Sequence, residues 1–340
     1  MASHRRPKQP SRTRVTVLTA TAAAAVALTS QAAQADPKPT KKEVKAKVDK
    51  LYEEAEVATE KYNGAKEKQE KLEKQVGDLQ DKVARGQDEL NEMRNGLGSM
   101  ATAQYRSGGI DPSMQLLLSS DPDTYLDRAS TLDQLSTKQA DGLRKIADKQ
   151  RTLQQQREEA SDKLAELADT REALGDKKNE IQGKLSKAQG LLNTLTAKER
   201  AALAEAEARA NRANSRTDLG SDVPDSQRAA AALSAAKTKI GSPYVWGATG
   251  PSSFDCSGLT SWAYSQAGVQ LDRTSQAQAN NGTRISQGEL KPGDLVLFYS
   301  DLHHIGLYAG NGQILHAPKP GASVRFESIN NMPFAFGVRI

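Results

Sequence analysis

Between residues 41 and 104 the chain carries no proline, and apolar residues return at alternating steps of four and three. The series runs Val44, Val48, Leu51, Ala55, Ala58, Tyr62, Ala65, Gln69, Leu72, Val76, Leu79, Val83, Gly86, Leu90, Met93, Leu97 and Met100, with only Gln69 and Gly86 outside the apolar rule. Such spacing marks a helix whose apolar seam needs a second helix to cover it, here over about eight heptads. Gly/Pro breaks follow at residues 107–112 and 119–122, around a short apolar patch at 114–118.

A second helix is predicted from about residue 123 to 211. Its seam is Leu143, Ile146, Leu153, Ala160, Leu164, Leu167, Leu174, Ile181, Leu185, Ala188, Leu192 and Leu195, with Gln150, Arg157, Arg171 and Lys178 at in-register polar positions. The two helices can fold back as an antiparallel hairpin with arms on the order of 100 Å long, and a dimer through either helix fits the same pattern. Dense charge on the outer faces is expected to be solvated.

Residues 1–35 read as a secretory signal peptide: a basic opening through Arg14, an Ala-rich apolar stretch, and Ala33-Gln34-Ala35 as the cleavage site. The net charge of +5 then vanishes, because removing the five Lys and Arg of this segment from 47 leaves 42, equal to the 42 acidic residues. That balance does not point to nucleic acid. The mature chain is expected outside the membrane, secreted or associated with the cell wall. There its one cysteine, Cys256, is a free thiol or an intermolecular bridge.

Residues 36–210 make the helical region and residues 211–225, polar and broken by Gly and Pro, read as a flexible linker. Residues 226–340 hold both tryptophans, four of the five phenylalanines and His303, His304 and His316, and suffice for one small globular core.

Within that domain Asp255 sits at an N-cap position and places Cys256 in the first turn of a helix, with Leu259, Trp262 and Ala263 on the packed face and Gly268 as the stop. Free amides and the helix dipole there favour a thiolate and are placed to receive an oxyanion. The base must come from the histidines. Segments 295–299, 305–309 and 313–317 read as successive strands, and His303 and His304, being adjacent, face opposite sides, so one is a bystander. A zinc site would need His304, His316 and a third ligand such as Cys256 or Asp301, and no H-E-x-x-H or paired-Cys spacing supports it. If Asn311-Gly312 is a plain two-residue turn, His304 and His316 fall on opposite faces. For them to meet, the connection must be longer or a bulge must shift the register.

The segments "SPYVWGATGPSSFDCSGLTSWAYSQAGVQLDRTSQAQ", "LKPGDLVLFY" and "HIGLYAGNGQILHAP" resemble the NlpC-type, papain-like cell-wall endopeptidases. The likeness spans about residues 232–340, and the arms are similar to coiled-coil regions of actinobacterial relatives. It implies an α+β fold in which helices pack on an antiparallel sheet. It also implies Cys256 as nucleophile, His304 as base and acid, and His316 as its orienting group. Tyr244 is implied as an oxyanion or substrate contact, and Asp255, Ser257, Arg273, Thr274, Ser275 and Gln278 as the substrate groove. No cofactor or metal is implied. The substrate class is the peptidoglycan stem peptide, cut between γ-D-glutamate and a diamino acid such as diaminopimelate. A Cys-His amidase, an acyltransferase and a coiled-coil scaffold are the rival readings. Because uncontrolled wall cleavage would lyse the producing cell, the arms are expected either to hold the domain inactive or to recruit it to a membrane complex, as the FtsEX-type division transporter does for coiled-coil relatives.

Overall fold

The computed structural model describes residues 39–106, 125–213 and 217–340, together with Met114. The segment expected to be a signal peptide, most of the apolar patch and the breaks around it lie outside the described residues. No helix among the described residues is long and apolar enough to cross a membrane.

Helix α1 (Lys41–Arg106) and helix α2 (Tyr125–Asn193) form an antiparallel hairpin. Ion pairs fix the direction: Glu54 meets Lys184 (2.8 Å), Lys68 meets Glu166 (2.8 Å), Glu73 meets Arg171 (2.8 Å) and Glu89 meets Lys149, so rising numbers on α1 face falling numbers on α2. Val44, Val48, Ala55, Leu72, Val76, Leu79 and Leu90 on α1 and Leu153, Leu167, Ile181 and Ala188 on α2 are buried, as the heptad seam requires.

The second helix is not continuous to residue 211. It stops at Asn193, and α3 (Ala197–Ala213) starts anew. Thr196 and Glu199 form a reciprocal cap: Thr196 N–H donates to Glu199 Oε2 (2.9 Å) and Glu199 N–H to Thr196 Oγ1 (3.3 Å). This T-x-x-E capping box begins a helix wherever it stands, and it overrides the heptad register running through it.

The C-terminal domain contains α4 (Gln227–Lys237), α5 (Cys256–Gln266), the short α6 (Ser275–Gln278) and six strands: β1 (Thr283–Ile285), β2 (Leu295–Phe298), β3 (His304–Gly310), β4 (Gln313–His316), β5 (Arg325–Ser328) and β6 (Phe334–Arg339). The sheet is antiparallel throughout, in the order β1-β6-β2-β3-β4-β5. One core joins Leu259, Ala263 and Tyr264 of α5 to Leu295, Leu297, Ile305, Leu307 and Leu315 of the central strands. Val296, Phe298, Tyr308 and Ile314 form a second cluster on the other sheet face. With both faces covered, these strands read as unbroken apolar runs rather than alternating ones.

The segment expected to be a flexible linker packs on this domain over its described second half. Leu219 joins the core, Asn311 Nδ2 donates to the Asp218 carbonyl (3.2 Å), and Asp225 pairs with Lys291 (2.6 Å). Its polar composition misleads because the partners lie far along the chain.

The β3–β4 connection decides where the histidines point. Asn311 (φ 49°) and Gly312 (φ 65°) form a two-residue turn in left-handed conformation. Gly310 opposes Gln313, but the register then slips: Tyr308 opposes Ile314 and Leu307 opposes Leu315. Ala309 is the extra residue, a β-bulge that moves His304 onto the face that carries His316.

Candidate active site

Asp255 caps α5 as the sequence predicts, accepting from Gly258 N–H (2.7 Å), so Cys256 is the first residue of the helix. Gly258 is required there, since a Cβ would lie 2.1 Å from the Ala248 carbonyl oxygen. Gln278 Nε2 donates to the Ser257 carbonyl (3.0 Å) and the Asp272 carbonyl (2.9 Å), while its Oε1 accepts from Thr260 Oγ1 (2.6 Å). Gln278 is fully buried and its amide is committed inward. The expected groove contact is therefore a brace for α5.

His304 and His316 meet edge to face, with Nε2 of His304 2.7 Å from Nδ1 of His316. Nε2 of His316 lies 3.3 Å from Glu327 Oε2, and Glu327 pairs with Arg325 (3.1 Å). Burial pushes His316 down to about 4, so the ring is neutral at pH 7. Burial opposes charge on Glu327 as well, but His316, Asn331 and Arg325 hold its carboxyl well below the usual range. A charged Glu327 accepting from His316 Nε2–H leaves His316 Nδ1 to accept from His304 Nε2–H, an assignment made by the network. Glu327 stands eleven residues past His316, beyond any motif, and sequence reasoning missed it.

That leaves Nδ1 of His304 to face the cysteine. A ring nitrogen of His304, Cys256 Sγ and a Glu56 carboxylate oxygen lie within 4.8 Å of one another, the group among the described residues with metal-ligand geometry. Glu56 Oε1 in fact contacts His304 Nδ1 directly at 2.5 Å. His303 is buried beside the site, its ring stacked on Tyr299 and its Nδ1 2.5 Å from Asp301, and it turns only its carbonyl oxygen toward Cys256 Sγ (3.8 Å).

The groove residues surround a second acid from α1. Glu60 Oε1 accepts from Ser257 Oγ (2.7 Å), and Glu60 Oε2 accepts from Ser275 N–H (2.7 Å) with Ser275 Oγ at 3.1 Å. Cys256 Sγ stands 3.7 Å from Glu60 Oε1. Arg273 donates to Ser257 Oγ (2.8 Å) and grips Asp255 with both terminal nitrogens (2.6 and 3.2 Å). Asn63 Nδ2 donates to Asp255 Oδ2 (3.1 Å). Thr274 caps α6 by accepting from Ala277 N–H (3.2 Å). Tyr244 is buried beside the cysteine, and burial followed by the charges of Glu56 and Cys256 raises its phenol well above the ordinary value.

Electrostatics here reverse one expectation. The helix N-terminus favours a thiolate, yet burial, then Glu56, Glu60 and Asp255, push the Cys256 thiol well above its ordinary value. His304 moves up too: burial works against its charge, and the Glu56 carboxylate overrides burial. Glu60 is raised to about 7 by burial and by Asp255. As folded, the site disfavours the thiolate and favours the charged form of His304 relative to an exposed imidazole.

Residues 241–336 match the model of the NlpC/P60 family. The C-terminal domain belongs to that family. A probable endopeptidase from Corynebacterium glutamicum is 52% identical over 124 residues, 35% of this chain and 59% of that protein. A probable endopeptidase p60 from Listeria grayi is 46% identical over 105 residues, 29% of this chain and 20% of that one. The match thus spans less than two thirds of each relative's own length. Among solved structures, the NlpC/p60 domain of the peptidoglycan hydrolase SagA is 39% identical, covering 33% of this chain and 98% of that one with a TM-score of 0.32. Cys256, His304 and His316 all lie inside the matched NlpC/P60 span.

Proposed function

We propose that this chain is a secreted cysteine endopeptidase that cuts peptidoglycan stem peptides, acting at the γ-D-glutamyl-diaminopimelate bond in wall remodelling or cell separation. The observation that carries the reading is the line Cys256, His304, His316, Glu327, in which a ring nitrogen of His304 lies within 4.8 Å of Cys256 Sγ while Glu327 orients His316 and His316 orients His304. In this reaction His304 Nδ1 takes the Cys256 proton, and the thiolate attacks the amide carbonyl carbon. The tetrahedral oxyanion forms beside the α5 amides and Tyr244. The C–N bond breaks as His304 returns the proton to the leaving amine, leaving a thioester. Water, deprotonated by His304, then cleaves the thioester and frees the thiol. His316 keeps the His304 ring in the productive tautomer, and Asp255 fixes Arg273 at the groove.

The test is mass spectrometry of muropeptides digested by the mature chain and by Cys256→Ala. Fragments ending in γ-D-glutamate from the first and none from the second support the reading. A glycan-peptide cut would make it an amidase, and a cross-linked product an acyltransferase.

A further inference from the structure

Ahead of α4, the segment Asp218-Leu219-Gly220 runs beside the β3–β4 turn, and it lies outside residues 241–336, the span that matches the family model. Asp218 fixes the segment's own bend: its Oδ1 accepts from the N–H of Gly220, which takes the left-handed conformation (φ 68°). The Leu219 side chain then packs against the core cluster that contains Leu307 and Ala309 of β3 and Leu315 of β4.

We propose that Asp218, Leu219 and Gly220 form a positioning strap: they hold the β-bulge at Ala309 in place, and the bulge is what brings His304 to His316. The proposal rests on the peptidase reading above for what that histidine pair does.

Register makes the bulge decisive. Leu307 opposes Leu315, so Gly306 comes against His316, where an added Cβ would lie 3.1 Å from the His316 Cβ. His304 is two residues further along β3, on the same face as Gly306. Without the extra residue, Leu307 would oppose His316 and the two rings would fall on opposite faces. A bulge interrupts the ladder that would otherwise define the register, so contacts from outside the ladder must hold it.

The strap supplies those contacts at the two residues that follow the bulge. Gly310 is buried at φ 103°, and a Cβ there would collide with the Leu219 carbonyl oxygen. The Leu219 backbone therefore occupies the space of a side chain, and only glycine permits both that approach and that conformation. Asn311, left-handed at φ 49°, donates from Nδ2 to the Asp218 carbonyl (3.2 Å). The other flank is held from within the domain. Tyr308 N–H donates to the Asp294 carbonyl and the Tyr308 carbonyl accepts from Gly293 N–H, both at 2.8 Å. Ala309 is thus clamped between a residue tied to the approach of β2 and a residue tied to the strap. Further along the same segment, Asp225 pairs with Lys291 (2.6 Å), a hold on the loop before β2 instead of on the turn.

The experiment compares the full mature chain, carrying isotope-labelled histidine, with Leu219→Ala/Asn311→Gly and with Asp225→Asn. Glycine at 311 keeps the left-handed conformation and removes only the amide. The primary readout is the nuclear Overhauser effect between the His304 and His316 rings, whose centroids are 5.0 Å apart. Beside it stand kcat and KM for muropeptide cleavage, with circular dichroism as the check on folding. In Leu219→Ala/Asn311→Gly the ring-to-ring effect is expected to be lost and kcat to fall on the order of 10-fold, with KM within about 2-fold. Asp225→Asn is expected to keep the ring-to-ring effect and kcat. An intact ring-to-ring effect in the folded Leu219→Ala/Asn311→Gly chain overturns the strap, and so does an equal loss in Asp225→Asn. If the double variant does not fold, Asn311→Gly alone decides by the same signal. Loss of the ring-to-ring effect in the double variant, when the unsubstituted chain cleaves no muropeptide, upholds the strap and overturns the peptidase reading instead.

Discussion

Glu56 and His304, separated by 248 residues in sequence, are joined by a 2.5 Å contact between Oε1 and Nδ1. One side chain is on the helical hairpin and the other at the start of β3, so the state of the active site is tied to where the hairpin sits.

Docking of α1 should weaken as pH rises. Glu60, facing Asp255, Cys256, Arg273 and the hydroxyls of Ser257 and Ser275, is raised from an ordinary 4.5 to about 7 when seated. A raised acid favours the protonated, seated form, so its contribution is complete below about 4.5 and is lost as pH rises through about 7. His304, facing Glu56, Glu60 and Glu327, is raised from 6.5, so its contribution is likewise full below 6.5 and lost above the raised value. Trp246 emission, which reports the Tyr62 contact, should shift toward that of an exposed indole between pH 5 and 8.5. A Glu56→Gln/Glu60→Gln chain should show a flatter profile.

Glu327→Gln should lower kcat on the order of 10-fold with little change in KM, because it loosens the His316 tautomer rather than substrate contacts. The measurement is steady-state cleavage by the mature chain and by Glu327→Gln across pH. A purely structural role for Glu327 would leave the acid limb of the pH profile unmoved.

Gln278→Ala should reduce unfolding stability by about 1–3 kcal/mol, since it leaves the Ser257 and Asp272 carbonyls and the Thr260 hydroxyl without their buried partner. Urea denaturation followed by circular dichroism measures it. A groove-lining glutamine would instead show up in KM with stability intact.

Gly258→Ala should destabilise the C-terminal domain by about 1–3 kcal/mol, because the new methyl meets the Ala248 carbonyl at 2.1 Å. The same denaturation assay, with β-sheet signal as the probe, checks this.

The elements were legible where a local rule governs them. The heptad seam named the residues that α1 and α2 bury, and the Asp255 cap put Cys256 at the head of α5. Where two local rules competed, reading the longer one failed: the T-x-x-E box at Thr196 cuts a helix that the heptads carry through. The histidine register was legible only as a choice, and the bulge at Ala309 made it.

By itself, the sequence determined the helical arms, the α+β domain and a single cysteine at the head of a helix, because periodicity, caps and turns act over a few residues. Tertiary structure alone decided three things: that His304 meets His316, that Glu327 stands behind them, and that Glu56 and Glu60 enter the groove. The physical reason is that a polar stripe on a helix looks solvated until its partners are known. Those partners lie about 200 residues further along, and only packing brings them within hydrogen-bond reach.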